Sequence, residues 1–132
     1  GVVSVSVFDM VDSLVSGNAK EALRTLHHLM SDQEIPQLFA MIVRQFRLLV
    51  QVREILDEGG NSALVQRDLN QVAFVADKLC RQASAFTSAS LRRIYRKLLD
   101  LDYAFKTSQT EPEAALDLFI LDIAAEVKKK GG

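Results

Sequence analysis

Residues 41–56 read MIVRQFRLLVQVREIL, and what surrounds this stretch decides the fold. On a wheel turning about 100° per residue, the helix around it, Pro36 to about Glu58, has one polar stripe. That stripe holds Gln37, Arg44, Arg47, Gln51, Glu54 and Glu58. The remaining arc, roughly two-thirds of the girth, is apolar and includes Phe39, Ile42, Phe46, Leu49, Val50, Val52 and Leu56. A helix apolar over that much of its circumference is central and packed on several sides. Gln45 and Arg53 interrupt the arc. Each must find hydrogen-bond partners at its edge or cost about 1–3 kcal/mol as an unsatisfied group. The pattern is one of packing.

Working outward, the spacing predicts a first helix near Val7–Ser16, with Ser6 as N-cap and Gly17 just past its end. Asn18 and Glu21 then stand at capping-box spacing, ahead of a stripe formed by Ala22, Leu23, Leu26, Leu29 and Met30. Pro36 suits a first turn, because its missing N–H has no helical partner there, and Gly59-Gly60 ends the long helix. A short helix near Ser62–Leu69 follows. The next, Gln71–Phe86, points Val72, Val75, Ala76, Leu79 and Ala83 inward. Further helices are expected at Ser88–Lys106 and from Pro112 to about Lys129, where lysines suit the negative end of the macrodipole. Strand signals are few beyond VVSVSV at residues 2–7. The expectation is all-α: a compact bundle of about six to seven helices in one domain over residues 7–129, with a leading linker or remnant at 1–6 and a tail at 130–132.

A chain of 132 residues, 48% hydrophobic and 25% charged, has a globular composition and enough interior for a core. A net charge of −1 provides no global field to hold nucleic acid. The lone Cys80 excludes an internal disulfide and reads as a small hydrophobe on a helix face, at ease in an intracellular setting. No apolar run approaches the ~20 residues that span a membrane. The first residues lack the charged start and long apolar stretch of a signal peptide. A beginning at Gly1 points to a chain that was processed or cut from something longer.

The helix Ser88–Lys106 has an inner stripe of Leu91, Ile94, Leu98, Leu101 and Phe105, flanked by Tyr95 and Leu99. Asp102 falls within it, with Lys106 four residues on as a candidate structural ion pair. A buried carboxylate also raises the possibility of an enzyme or ligand site, yet no second acid or histidine stands beside it. The opposite face carries Arg92, Arg93, Arg96 and Lys97. It reads as a solvated face, as the seat of an acidic partner, or as the basic face of a stand-alone nucleic-acid-binding module without base-reading motifs. The last helix has two apolar sides: Leu116, Phe119, Ile120, Ile123 and Val127, and then Ala114, Leu118, Leu121 and Ala125. Such a helix either passes through its own core or offers one side to another chain.

His27 and His28 diverge by about 100° on their helix and cannot share a metal; they read as surface residues. There is no phosphate loop, dinucleotide fingerprint or GxSxG elbow, and Cys80 has no evident histidine base. No catalytic, cofactor-binding or metal-binding residue is assigned.

Four stretches in order carry more: VFDMVDSLVSGNAKEALRTLHHL from Val7, IPQLFAMIVRQFRLLVQVREIL from Ile35, FVADKLCRQASAFTSASL from Phe74, and LLDLDYAFKTSQTEPEAALDLFIL from Leu98. Together, over about Val7 to Ile123, they resemble the C-terminal domain of the DNA polymerase III delta subunit, the clamp-loader "wrench". RQFRLL at Arg44–Leu49 is the most recognisable piece, and GNAKEAL and the Asp102/Lys106 pair agree with the pattern. The chain departs from it at MSDQE (30–34) and KTSQT (106–110), where family members often carry glycine.

The resemblance implies a helical collar domain of a three-domain subunit that does not itself hydrolyse ATP, so no nucleotide-binding residue transfers. It implies a role in assembling the complex that loads the sliding clamp on DNA, within a holoenzyme that is a DNA-directed DNA polymerase in the bacterial cytoplasm. The implied partners are the other clamp-loader subunits, with DNA met only within the complex and the sliding clamp gripped by an N-terminal domain outside this chain. No membrane, cofactor or small-molecule substrate is implied. Wheel geometry makes Arg44 and Arg47, and Leu118 and Leu121, the candidate subunit-interface residues.

Overall fold

The computed structural model describes residues 6–131 in backbone and 6–127 in side chain. Seven helices follow in order: α1 (Val7–Val15), α2 (Ala19–Asp32), α3 (Ile35–Asp57), α4 (Ser62–Asp68), α5 (Ala73–Ser84), α6 (Ser88–Lys106) and α7 (Pro112–Gly131). No strand occurs among the described residues. Most of VVSVSV, the terminal lysines' side chains and the end of the expected tail lie outside them.

Local chemistry sets the boundaries. Ser6 and Asp9 form a reciprocal capping box: the Ser6 hydroxyl accepts the Asp9 N–H at 3.2 Å, and Asp9 accepts the Ser6 N–H at 3.0 Å. The box expected at Asn18 is only half made. Asn18 Oδ1 accepts the Glu21 N–H at 3.1 Å, while the Glu21 carboxylate pairs forward with Arg24 at 2.8 Å. Asn61 and Thr87 cap α4 and α6 in the same way. Helix α5 starts later than its spacing suggests. Asn70 takes φ 54°, Val72 is extended as the N-cap, and its side chain is 71% exposed instead of buried. The left-handed turn at Asn70 delays the helix until Ala73.

The two departures from the family pattern have separate outcomes. Helix α2 ends through Gln33 in an extended conformation, so no left-handed residue is required there. After α6, Ser108 itself adopts φ 55°, the conformation in which glycine is cheapest.

Gly59 ends α3 at φ 88°. Gly60 is constrained by space: a Cβ would lie 2.6 Å from Ile55 Cγ2 and 2.8 Å from the Ile55 carbonyl oxygen. Gly60→Ala should therefore cost about 1–3 kcal/mol through overpacking. Chemical denaturation measures this, and a loss below about 0.5 kcal/mol would show that the α3–α4 turn gives way freely.

Helix α3 is the axis of the bundle. Ile42, Phe46, Leu49 and Val52 are completely buried, whereas all six members of its polar stripe are exposed. Phe46 meets Phe119 of α7 edge-on at 6.0 Å. Both interruptions of the apolar arc find partners. Gln45 donates to Gln82 Oε1 at 2.8 Å; Gln82, fully buried on α5, donates to Asp12 Oδ1 at 2.7 Å and to the Phe8 carbonyl at 3.3 Å. Arg53 donates to the Ala83 and Phe86 carbonyls, both at 3.4 Å, covering the end of α5, and also bonds Asp57.

Candidate subunit interfaces

Helices α3 and α6 run antiparallel. Phe39 stacks edge-on against Phe105 with centroids 5.0 Å apart, Arg47 Nε donates to the Tyr95 hydroxyl at 3.3 Å, and Arg92 reaches Glu54 at 3.4 Å. Between these crossings lies an open groove of about 660 Å³ whose walls include Phe39, Val43, Arg47, Tyr95 and Leu99. Leu99 is 53% exposed, and Tyr103, one turn farther along α6, is 64% exposed. Arg44 is exposed and has no hydrogen-bond or ion-pair partner among the described residues.

Asp102 belongs to this groove rather than to the core. Its side chain is 43% exposed and pairs with Lys106 at 2.9 Å. The inner stripe of α6 is fully buried at Leu91 and Leu98 but only partly covered at Leu101 and Phe105. The last turns of α6 therefore leave the carboxylate in contact with water.

Helix α7 separates its two apolar sides. Leu116, Phe119, Ile120, Ile123 and Val127 are buried, whereas Leu118 is 63% and Leu121 43% exposed, with Ala114 and Ala125 exposed beside them. The positions 114, 118, 121 and 125 follow a 4-3-4 spacing, the seam of a helix that packs along another helix.

The basic face of α6 is largely neutralised by its neighbours. Arg93 pairs with Glu126, Lys97 stands 3.8 Å from Asp122, and Arg92 meets Glu54 of α3; Arg96 has no partner among the described residues. A second groove, about 480 Å³, lies between α6 and α7 under these pairs, with Ile94, Phe119 and Ile123 along it. His27 bonds Asp117 of α7 at 2.7 Å and His28 faces Asp32 of its own helix at 3.3 Å, so the two rings do diverge. No group of three metal-ligating side chains occurs among the described residues. Burial and the nearby Asp77 push the Cys80 thiol up, away from the reactive thiolate. No described helix is long and apolar enough to cross a membrane.

The model of the DNA polymerase III delta subunit, C-terminal domain, matches residues 4–123. The chain belongs to that family. Within it, the DNA polymerase III subunit delta of Bacillus subtilis (strain 168) is 26% identical over 125 residues, covering 94% of this chain and 36% of that protein. The solved structure of the Bacillus subtilis DNA clamp loader delta protein (YqeN) superposes with a TM-score of 0.81 at 26% identity, over 90% of this chain and 35% of the other. The chain thus spans about a third of the length of these delta relatives, and its all-α bundle is the delta C-terminal fold.

Sequence reasoning named Arg44, Arg47, Leu118 and Leu121, and all four are exposed. Arg47 lines the α3/α6 groove, while Leu118 and Leu121 stand on α7 outside it. It missed the groove itself. The available signal was the i,i+4 pair Leu99 and Tyr103, two large apolar residues set off the inner stripe of α6.

Proposed function

We propose that this chain is a non-catalytic assembly domain of a bacterial clamp loader, holding the delta subunit among the other subunits that place the sliding clamp on DNA. Family membership supports the complex. The observation that carries the role is the α7 seam: a well-packed domain leaves Leu118 and Leu121 in water although its core is already complete. Clamp and DNA are met through other parts of the assembly, in the cytoplasm, and nothing in the mutual pairing of the α6 basic face favours a stand-alone nucleic-acid module.

The test is reconstitution with the remaining clamp-loader subunits of the same genome. Leu118→Glu with Leu121→Glu places two charges on the seam and should weaken assembly by about 2 kcal/mol or more, roughly thirtyfold. Circular dichroism should show an unchanged fold, because neither side chain is in the core. Arg44→Ala should weaken assembly less. Wild-type assembly by both the double variant and Arg44→Ala would mean that these surfaces are wrongly assigned.

A further inference from the structure

We propose that the α3/α6 groove seats one amphipathic helix of a neighbouring clamp-loader subunit, and that this helix carries a carboxylate opposite Arg47; the inference rests on the assembly reading above. The groove follows α3 from Ile35 to Arg47, about 18 Å at 1.5 Å per residue, which is the length of about three helical turns. Its walls at Phe39, Val43 and Leu99 are apolar. It is open along its side, and exposed apolar surface continues past the rim to Tyr103. An occupant that covers both the trough and Tyr103 is wider than a small molecule and fits the ~10–12 Å diameter of a helix.

Charge specifies the occupant further. The Arg47 guanidinium has only the Tyr95 hydroxyl, at 3.3 Å, and Arg44, one turn earlier, has no partner among the described residues. The acid nearest in the groove, Asp102, is held by Lys106. One guanidinium without a carboxylate partner, Arg47, thus lines a largely apolar trough, with the exposed Arg44 next to Val43 on the same helix, on a chain whose net charge is −1. A helix that presents apolar side chains to Phe39 and Val43 and an Asp or Glu to Arg47 satisfies the surface and the charge together, because guanidinium and carboxylate match in bidentate geometry.

The experiment places photoreactive p-benzoylphenylalanine at position 99, and as a control at the more exposed position 74 on α5, in the chain reconstituted with the other clamp-loader subunits of its genome. Irradiation should link position 99, and not position 74, to a helix of a partner subunit that contains Asp or Glu. Arg47→Glu should weaken assembly at least about tenfold, and reversing the partner's mapped acid to Lys should restore it. Tyr103→Glu, on the open rim, repeats the test should Arg47→Glu melt early.

Assembly within about twofold of wild type for both variants overturns the groove assignment while leaving the assembly role standing. A crosslink to a second copy of this chain, or to a segment without an acid, overturns it as well. So does occupation by an added apolar carboxylate such as dodecanoate that leaves assembly unchanged. Failure of the unmodified chain to assemble overturns the assembly role and the groove assignment together.

Discussion

Phe46→Ala should lose about 3–5 kcal/mol of folding stability, the range for deleting a fully buried aromatic ring. In a domain of this size that lowers the thermal midpoint by roughly 10–20 °C. The ring has no exposed surface, sits at the middle of the central helix, and meets Phe119 edge-on. Its removal opens a void beside Phe119 of α7 that cannot collapse without moving the axis of the bundle. Phe46→Leu keeps most of the volume and should cost about 1–1.5 kcal/mol. Paired thermal and urea melts decide the matter. A loss of less than about 1 kcal/mol for the alanine variant would mean that α3 is not the packing axis.

Gln82→Leu should cost about 3 kcal/mol, although it adds an apolar side chain to a buried site. The substitution strands the Gln45 amide, removes a donor from Asp12 and takes the second donor from the Phe8 carbonyl, which keeps its bond within α1. Lys78, 3.0 Å from Asp12, keeps that carboxylate partly satisfied, so the loss stays short of the full cost of a broken buried ion pair. The double variant Gln45→Leu/Gln82→Leu should be more stable than Gln82→Leu alone, because it removes the stranded partner. That non-additivity is the signature of a hydrogen-bonded pair. Strictly additive losses would show that the two amides contribute independently.

The sequence reading succeeded where information is local. Helix α6 runs from Ser88 to Lys106 as its stripe and the Thr87 cap require, and the polar edge of α3 lies in solvent along its whole length. It failed where residues far apart in the chain decide. Gln82 gave no local sign of being a hub, because its partners stand 37 and 70 positions away. Val72 fits the helical spacing of α5 but lies in the N-cap, a consequence of the backbone at Asn70. Asp102 looked buried on the wheel, yet the wheel cannot tell how far neighbouring helices extend over the end of α6. The candidate interface was legible as exposed apolar surplus on α7. The α3/α6 groove was not, since a trough belongs to two helices and to neither sequence alone.

Helix α6 is a wall of both troughs, with α3 on one flank and α7 on the other, and it runs antiparallel to each, as its Glu54, Asp122 and Glu126 contacts require. Because one helix walls both troughs, its outward side chains divide between two surfaces: Leu99 lines the α3 flank and Lys97 the α7 flank, while Leu91 and Leu98 anchor the helix in the core.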